Sequence, residues 1–398
     1  HAAAALASHN GMKTVLLSET GMEQEICLNG DLFFNLDPTP VTGFGLNQSG
    51  SSLLEKLVIS SERTLLNPSY QIILPEHRLD FFNDKESLVR EMVREFPELS
   101  VEITSLYDAV EKHGVILDQW IKDHPFIRPR CFQDGMDYFK HLFPYLIKYK
   151  YDNSKLKNIM FRNPSFKKVI EAQNALLSFK TKGPESIFSY FQLSSPFRGV
   201  YHFPNGKKDL FDSLIKKIES TNGLCHRHCE ISSISKDKII EVNFLDKNGV
   251  ASKIETTHLI ASTKWQNIHL LLERKKKFNL DDFVRPIEVS YLPFTIHLGI
   301  RHHSIPEKMA RHIAVIADVN KNTHDNNLII LESNSHEDSQ NNVPEKILLT
   351  ATVFLHDDQL TWSKENLTAT ARSIIDRLEF FLPFLKENIE INPVDQSI

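Results

Sequence analysis

Residues 2–7 are small and apolar (AAAALA) and run to Asn10-Gly11; a second apolar run, Val15-Leu16-Leu17, then closes on Ser18-Glu19. This pattern predicts a helix, a left-handed glycine turn and a buried strand. Small side chains let such a helix lie close on a sheet. An acid at the carboxyl end of a parallel strand is placed to accept hydrogen bonds from a ribose diol. Glu19 is therefore the first candidate ligand residue. The arrangement is the second half of a dinucleotide-binding βαβ unit, so its first strand and glycine-rich turn are expected upstream of His1.

Further along, residues 22–50 are rich in turn formers, including Asn29-Gly30-Asp31, Asp37-Pro38 and Gly43-Phe44-Gly45, and read as loops with short strands. Residues 70–74 and 78–82 flank Pro75-Glu76-His77 and predict a hairpin. Asn83 or Asp84 can cap a helix over 85–96, where Leu88, Met92, Val93 and Phe96 have helical spacing. A second helix is predicted over 100–122. Beyond it Pro125, Pro129 and Pro144 interrupt a helical, aromatic-rich stretch reaching about residue 190. From Tyr201 the texture changes: a turn at Pro204-Asn205-Gly206, a helix over 209–219 stopped by Asn222-Gly223, and strands over 224–234, 239–245 and 258–261. Strands at 295–300, 313–317, 328–332 and 347–354 follow, with polar loops at 322–327 and 333–342. A last helix, 364–381, carries Leu367, Ala371, Ile374, Ile375 and Leu378 on one face. There is no internal repeat. The α/β texture thus occurs twice, at 1–50 and 200–288, around a mostly helical insertion.

With 398 residues, 41% hydrophobic and 24% charged, the chain has room for two domains and a large core. A net charge of -5 argues against a general nucleic-acid binder. Four cysteines, Cys27, Cys131, Cys225 and Cys229, are too few for a disulfide framework, which points to a reducing, cytoplasmic setting. No apolar run approaches the ~20 residues needed to cross a bilayer. Phenylalanine is abundant (26) and glycine scarce (14), so large apolar contact area serves either a core or a pocket for a greasy ligand.

Several segments, in order, resemble the phytoene desaturase-like branch of the FAD-dependent amine oxidase superfamily, with its carotenoid isomerase and retinol saturase relatives. Residues 13–19 look like the second strand with its ribose-binding acid. Gly30-Asp31-Leu32-Phe33-Phe34-Asn35-Leu36-Asp37-Pro38-Thr39 is similar to the family's G-x-x-F-D-x-G-P-T segment. His77-Arg78-Leu79-Asp80-Phe81-Phe82, with Arg94-Glu95-Phe96-Pro97, looks like its strand-then-helix block. Tyr201-His202-Phe203-Pro204-Asn205-Gly206 is similar to its Y-x-P-x-G-G helix entry. Residues 222–234 resemble the strand that reaches the adenine, and Leu259-Ile260-Ala261-Ser262 the strand after it.

The resemblance implies an α/β fold of two domains: a glutathione-reductase-like, Rossmann-like FAD-binding domain, and a substrate domain of mixed sheet plus helical cap. The FAD domain would comprise 1–50 and 200–288, and the substrate domain 51–199 and 289–398, with a C-terminal FAD segment expected beyond Ile398. The implied activity is FAD-dependent oxidoreduction of an apolar isoprenoid or lipid: desaturation, saturation or isomerisation by hydride transfer to or from the flavin. The cofactor-binding residues it implies are Glu19, Thr39, Ile231 (through its backbone), Ala261 and Ser262. No catalytic acid or base stands out, as expected where the cofactor carries the chemistry. The sequence departs from the family pattern at Asn35 and Asp37, which replace an Asp and a Gly, and at Asn205, which replaces a Gly. These departures keep open a flavin-less relative that binds a lipid or a prenylated protein. An amine oxidase is a further alternative, though no aromatic cage is recognisable.

Two other clusters complete the reading. In Cys225-His226-Arg227-His228-Cys229, strand alternation would put the cysteines on one face and the histidines on the other, so they do not converge as four metal ligands. His302, His303 and His312 also lack ligand spacing and read as surface. Over residues 138–182 ten Lys and Arg face only Asp152 and Glu171, with aromatic residues interleaved. This stretch reads either as a peripheral dock on an anionic membrane or as a solvated helical face over a core. No RNA-recognition module accompanies it.

Overall fold

The alanine-rich opening forms a helix, and the carboxyl-terminal strands gather into one large sheet. A computed structural model describes residues 1–19, 25–28, 32–35, 38–123, 132–137, 139–140, 143–178, 187–236, 238–263, 268, 270–272, 291–337, 344–358 and 362–391. Elements run α1 (Ala2–His9), β1 (Val15–Glu19), β2 (Glu25–Leu28), β3 (Leu32–Asn35), β4 (Val41–Thr42), α2 (Ser49–Leu57) and β5 (Thr64–Leu65). The hairpin β6 (Tyr70–Ile73) and β7 (Arg78–Phe81) follows, then the helices α3 (Lys85–Glu95), α4 (Ser100–Asp123), α5 (Phe132–Asp137) and α6 (Phe143–Arg162). Next come α7 (Pro164–Ser178), α8 (Ile187–Leu193), α9 (Ser195–Arg198), β8 (Val200–His202) and α10 (Lys207–Ser220). The remaining strands are β9 (Leu224–Lys236), β10 (Ile240–Leu245), β11 (Ala251–Thr256), β12 (Tyr291–Arg301), β13 (His312–Ile316), β14 (Leu328–Glu337) and β15 (Pro344–His356). Helix α11 (Lys364–Phe381), helix α12 (Leu385–Asn388) and β16 (Ile389–Ile391) end the described chain.

These elements fall into two units, each discontinuous in sequence. The first comprises His1–Glu25, Leu53–Ser61 and Asn205–Val289. Its sheet has the order β1-β9-β10-β11, with β1 and β9 parallel and the other pairs antiparallel. Ala5 of α1 is fully buried against Leu214 and Ile218 of α10 and Leu57 of α2. The small side chains allow this approach: Ser8 Oγ lies 2.6 Å from Thr221 Oγ1 at the end of α10. Gly11, at φ 81°, turns the chain out of α1. Gly223 is held to glycine by crowding, because a Cβ there would lie 2.5 Å from Ile218 Cγ2 and 2.9 Å from its carbonyl oxygen.

The second unit comprises Ile26–Ser52, Glu62–Pro204 and Ser290–Ile398. Its seven-stranded sheet has the order β16-β12-β15-β14-β13-β6-β7, antiparallel except for β13 with β6. One face is covered by α11, whose Ala371, Ile374, Ile375 and Leu378 bury against Ile313, Val315, Leu331 and Leu349. The other face is covered at one end by the helical cap α3, α4, α6, α7 and α8. Phe81, Phe96 and Phe166 are spent there in a filled core with Tyr70, Ile330 and Phe354. Asp84 caps α3 by accepting a 2.7 Å bond from Ser87 N–H.

The architecture is mixed α/β, and it departs from the expected elements and boundaries; Leu53–Ser61, expected in the substrate domain, group with the first unit. Residues 258–261 are not a strand; the antiparallel partner of β10 is β11, whose small and charged residues hide its alternation. Strand β14 runs on to Glu337 through residues expected to be a polar loop, because β15 supplies paired backbone as far as Pro344. Residues 26–52 group with the second unit rather than with the opening βαβ pattern. Phe34, for example, is fully buried with Leu348 and Ile391.

Candidate functional site

In the first unit Glu19 is the last residue of β1, opposite Cys229 of β9, and is half-buried. The register explains its surroundings. Leu17 pairs with His226 and Glu19 with Cys229, so β9 carries one extra residue, and His228 takes the left-handed conformation at φ 56°. The bulge breaks the alternation expected for residues 225–229. Cys229 is buried and its thiol donates to Ser18 O at 3.3 Å, while His226 rests beside Phe244 and His228 is exposed. Burial raises the Cys229 thiol above its ordinary pKa, and the Glu19 carboxylate adds to the rise. Burial raises Cys225 too, assisted by Glu219. Both are thus held as protonated, unreactive thiols. Among the described residues no three His, Cys, Asp or Glu side chains are placed to hold a metal.

Beyond Cys229, β9 outruns β1; it pairs with β10 on one side, Ile231 lying opposite Phe244, and Ile234 makes a parallel bridge to Leu272. The Glu19 carboxylate and the Ile231 backbone therefore share the carboxyl end of the two parallel strands, the usual ligand position in such sheets. An adenosine group fits this donor and acceptor set: a half-buried carboxylate with no hydrogen bond from the described residues, next to the β9 backbone at Ile231, between the end of the β1 pairing and the Leu272 bridge. Ala261 and Ser262 follow β11 as exposed chain outside any described strand, with Leu259 41% and Ile260 74% exposed.

The second unit holds a site that the sequence reading missed. On the cap side of the large sheet His297, Thr350, Glu332 and His312 stand directly opposite one another across β12, β15, β14 and β13. They form a buried polar row, with exposures of 7%, 1%, 5% and 3%. Phe34, Asn35 and Pro38 contact it. Phe34 lies on the His297 ring, and Asn35 Nδ2 donates to Glu332 Oε1 at 3.1 Å. Thr350 donates to Asn35 O, and His312 Nδ1 donates to Pro38 O at 3.0 Å. His312 is thus a buried anchor and not the surface residue expected, whereas His302 and His303 are exposed. Burial pushes His297 down to about 4, so its ring is neutral near pH 7. Arg311, which donates to Asn334, is lowered by burial and held up by the charge of Glu332. The signal that could have revealed the row is a polar residue at an inward position of otherwise apolar strands, as in Thr295-Ile296-His297-Leu298 and Ile330-Leu331-Glu332.

This row also accounts for one departure from the family pattern. An Asp at position 35 would set a second carboxylate against Glu332, whereas Asn35 donates to it. Asn205 has its own local role, its backbone N–H and side-chain amide both bonding the Asp209 carboxylate at 2.9 Å at the start of α10. Asp37 lies outside the described residues. Thr39, half-buried between Pro38 and Pro40, belongs to the second unit. The basic stretch is only partly a solvated face. Lys150 and Lys157 are exposed, but Lys168 is buried and bonds Glu171 at 2.9 Å and Thr323 at 3.2 Å.

No family model matches the chain, and no curated protein matches it. Its fold is similar to that of a Pyrococcus furiosus protein, at a TM-score of 0.58 with 14% identity over 96% of this chain and 82% of that one. It is equally similar to a structure described as an oxidoreductase from Methanosarcina mazei, at a TM-score of 0.57 with 12% identity over 98% of this chain and 83% of the other.

Proposed function

We propose that the protein is an FAD-dependent oxidoreductase acting on an apolar isoprenoid or lipid, by desaturation, saturation or isomerisation. The observation that carries this reading is the half-buried carboxylate of Glu19, without a hydrogen bond among the described residues, at the carboxyl end of β1 and beside the part of β9 that runs past it. The likeness in fold to the Methanosarcina mazei oxidoreductase supports it. In this reading the first unit holds the cofactor: Glu19 accepts the ribose hydroxyls, and the Ile231 backbone meets the adenine edge. The second unit receives the substrate, and Thr39 follows Pro38, whose carbonyl oxygen is held by His312 of the polar row. When bound, the flavin supplies the hydride chemistry, and the chain's own part is to bind, orient and exclude water. Peripheral contact with an anionic membrane through 138–182 belongs to the same proposal. It is supported by exposed Ile147 and Phe161 beside exposed Lys150 and Lys157 on α6. Among the described residues no helix is long and apolar enough to cross a membrane.

A flavin-less lipid- or prenyl-protein-binding role is the second reading. It is favoured by the exposed course of Ala261 and Ser262 outside any described strand, where the family resemblance implies a strand. Asn35 and Asn205 do not favour it, since each has a local structural reason. Titrating FAD into the full chain separates the two. The enzyme reading expects saturable uptake that Glu19→Ala weakens about tenfold or more, the worth of a charged hydrogen bond. Absence of uptake by the unsubstituted protein contradicts it.

A further inference from the structure

On the α11 side of the large sheet the helix ends before it reaches the edge hairpin, and a cavity of about 180 Å³ remains there. Its floor is apolar, made by Ile313, Val315 and Leu331, and the end of α11 closes one side with Leu378 and Phe381. The opposite side is the face of β6 and β7 that α11 leaves bare, with Ile73, Asp80 and Arg78, and the loop bearing Lys308 completes the mouth. The walls are tied together before any ligand arrives. Gln71 Nε2 donates to Asp80 Oδ1 at 2.7 Å and to Lys308 O at 3.2 Å, and its Oε1 accepts from Ala310 N–H at 2.9 Å.

The charges at the mouth are unbalanced. Asp80 is engaged by Gln71, whereas the Arg78 and Lys308 side chains are exposed and make no hydrogen bond or ion pair among the described residues. Two cations against one anion leave a net positive rim over an apolar floor. We propose that this cavity is a binding site for an amphipathic monocarboxylate, its tail on Ile313, Val315 and Leu331 and its carboxylate between Arg78 and Lys308. An apolar cavity of ~150 Å³ takes up the six carbons of benzene, so this one suits a tail of about seven carbons with its carboxylate at the mouth. Octanoate is the natural probe. The site lies wholly in the second unit and uses none of Glu19, Thr39 or Ile231, so it stands or falls independently of flavin binding.

The test is methyl-detected NMR of the full chain, titrated with octanoate, 1-octanol and octylammonium. Saturable shifts at Ile73, Ile313, Val315 and Leu331 are expected, with octanoate bound most tightly and octylammonium least. The exposed double substitution Arg78→Glu, Lys308→Glu should weaken octanoate about tenfold and favour octylammonium. Ile73→Trp, at a half-buried position, should fill the cavity and abolish the shifts, with thermal melting as the check on folding; if it does not fold, the double charge variant decides alone. The proposal is overturned by shifts scattered elsewhere, by no saturation up to the solubility of octanoate, or by octanoate affinity unchanged in either folded variant.

Discussion

Asn35 and His297 carry most of the residue-scale argument, because each is explained by a neighbour far away in sequence. Asn35→Asp would bring a carboxylate to within about 3.1 Å of Glu332 in a buried site. It should cost about 1–3 kcal/mol at neutral pH, relieved on acidification as one of the pair takes a proton. Denaturant unfolding at two pH values measures this. His297 imposes a pH dependence of its own. Unfolded it takes a proton near 6.5, folded only near 4, so its contribution is complete above 6.5 and is lost as pH falls toward 4. Between about pH 8 and pH 5 the loss is about 2 kcal/mol, and His297→Gln should flatten the stability profile by that amount. The place of Glu19 at the end of β1 was legible in the sequence because its reason is local: an acid ending an apolar strand. The polar row was not, since His312, His297 and Glu332 gain their meaning only from Pro38, Thr350 and Asn35, up to 297 residues away.

At the scale of elements, local rules sufficed wherever the sequence itself supplied the period and the stop. Helix α3 begins at its Asp84 cap, the β6–β7 hairpin turns where expected, and α11 buries the face its spacing marks out. They failed where a partner strand decided the outcome. Residues 333–337 are polar, yet they continue β14 because β15 pairs with them; residues 258–261 are apolar, yet no described strand pairs with them. The bulge in β9 is likewise a product of pairing with β1. His228 occupies a left-handed conformation there that disfavours a side chain.

At the scale of the whole molecule, each unit is assembled from three separate stretches of chain, and each contributes a different kind of site. The first offers a carboxylate and exposed strand backbone at the end of a parallel pair. The second offers a sheet with a polar row bonded by Asn35 and Pro38 on one face and an apolar cavity with a cationic mouth on the other. The α/β pattern at both ends of the first unit was legible in the sequence, but the assignment of residues 26–52 to the second unit was not. Its cause is the burial of Phe34 against Leu348 and Ile391, again a contact between distant segments. The central claim is that this assembly carries a working flavin, and the visible absorption spectrum of the purified full-length protein tests it most directly. Bands near ~450 nm that bleach when a reductant is added are the predicted result. A colourless protein that also fails to take up added FAD would contradict the account.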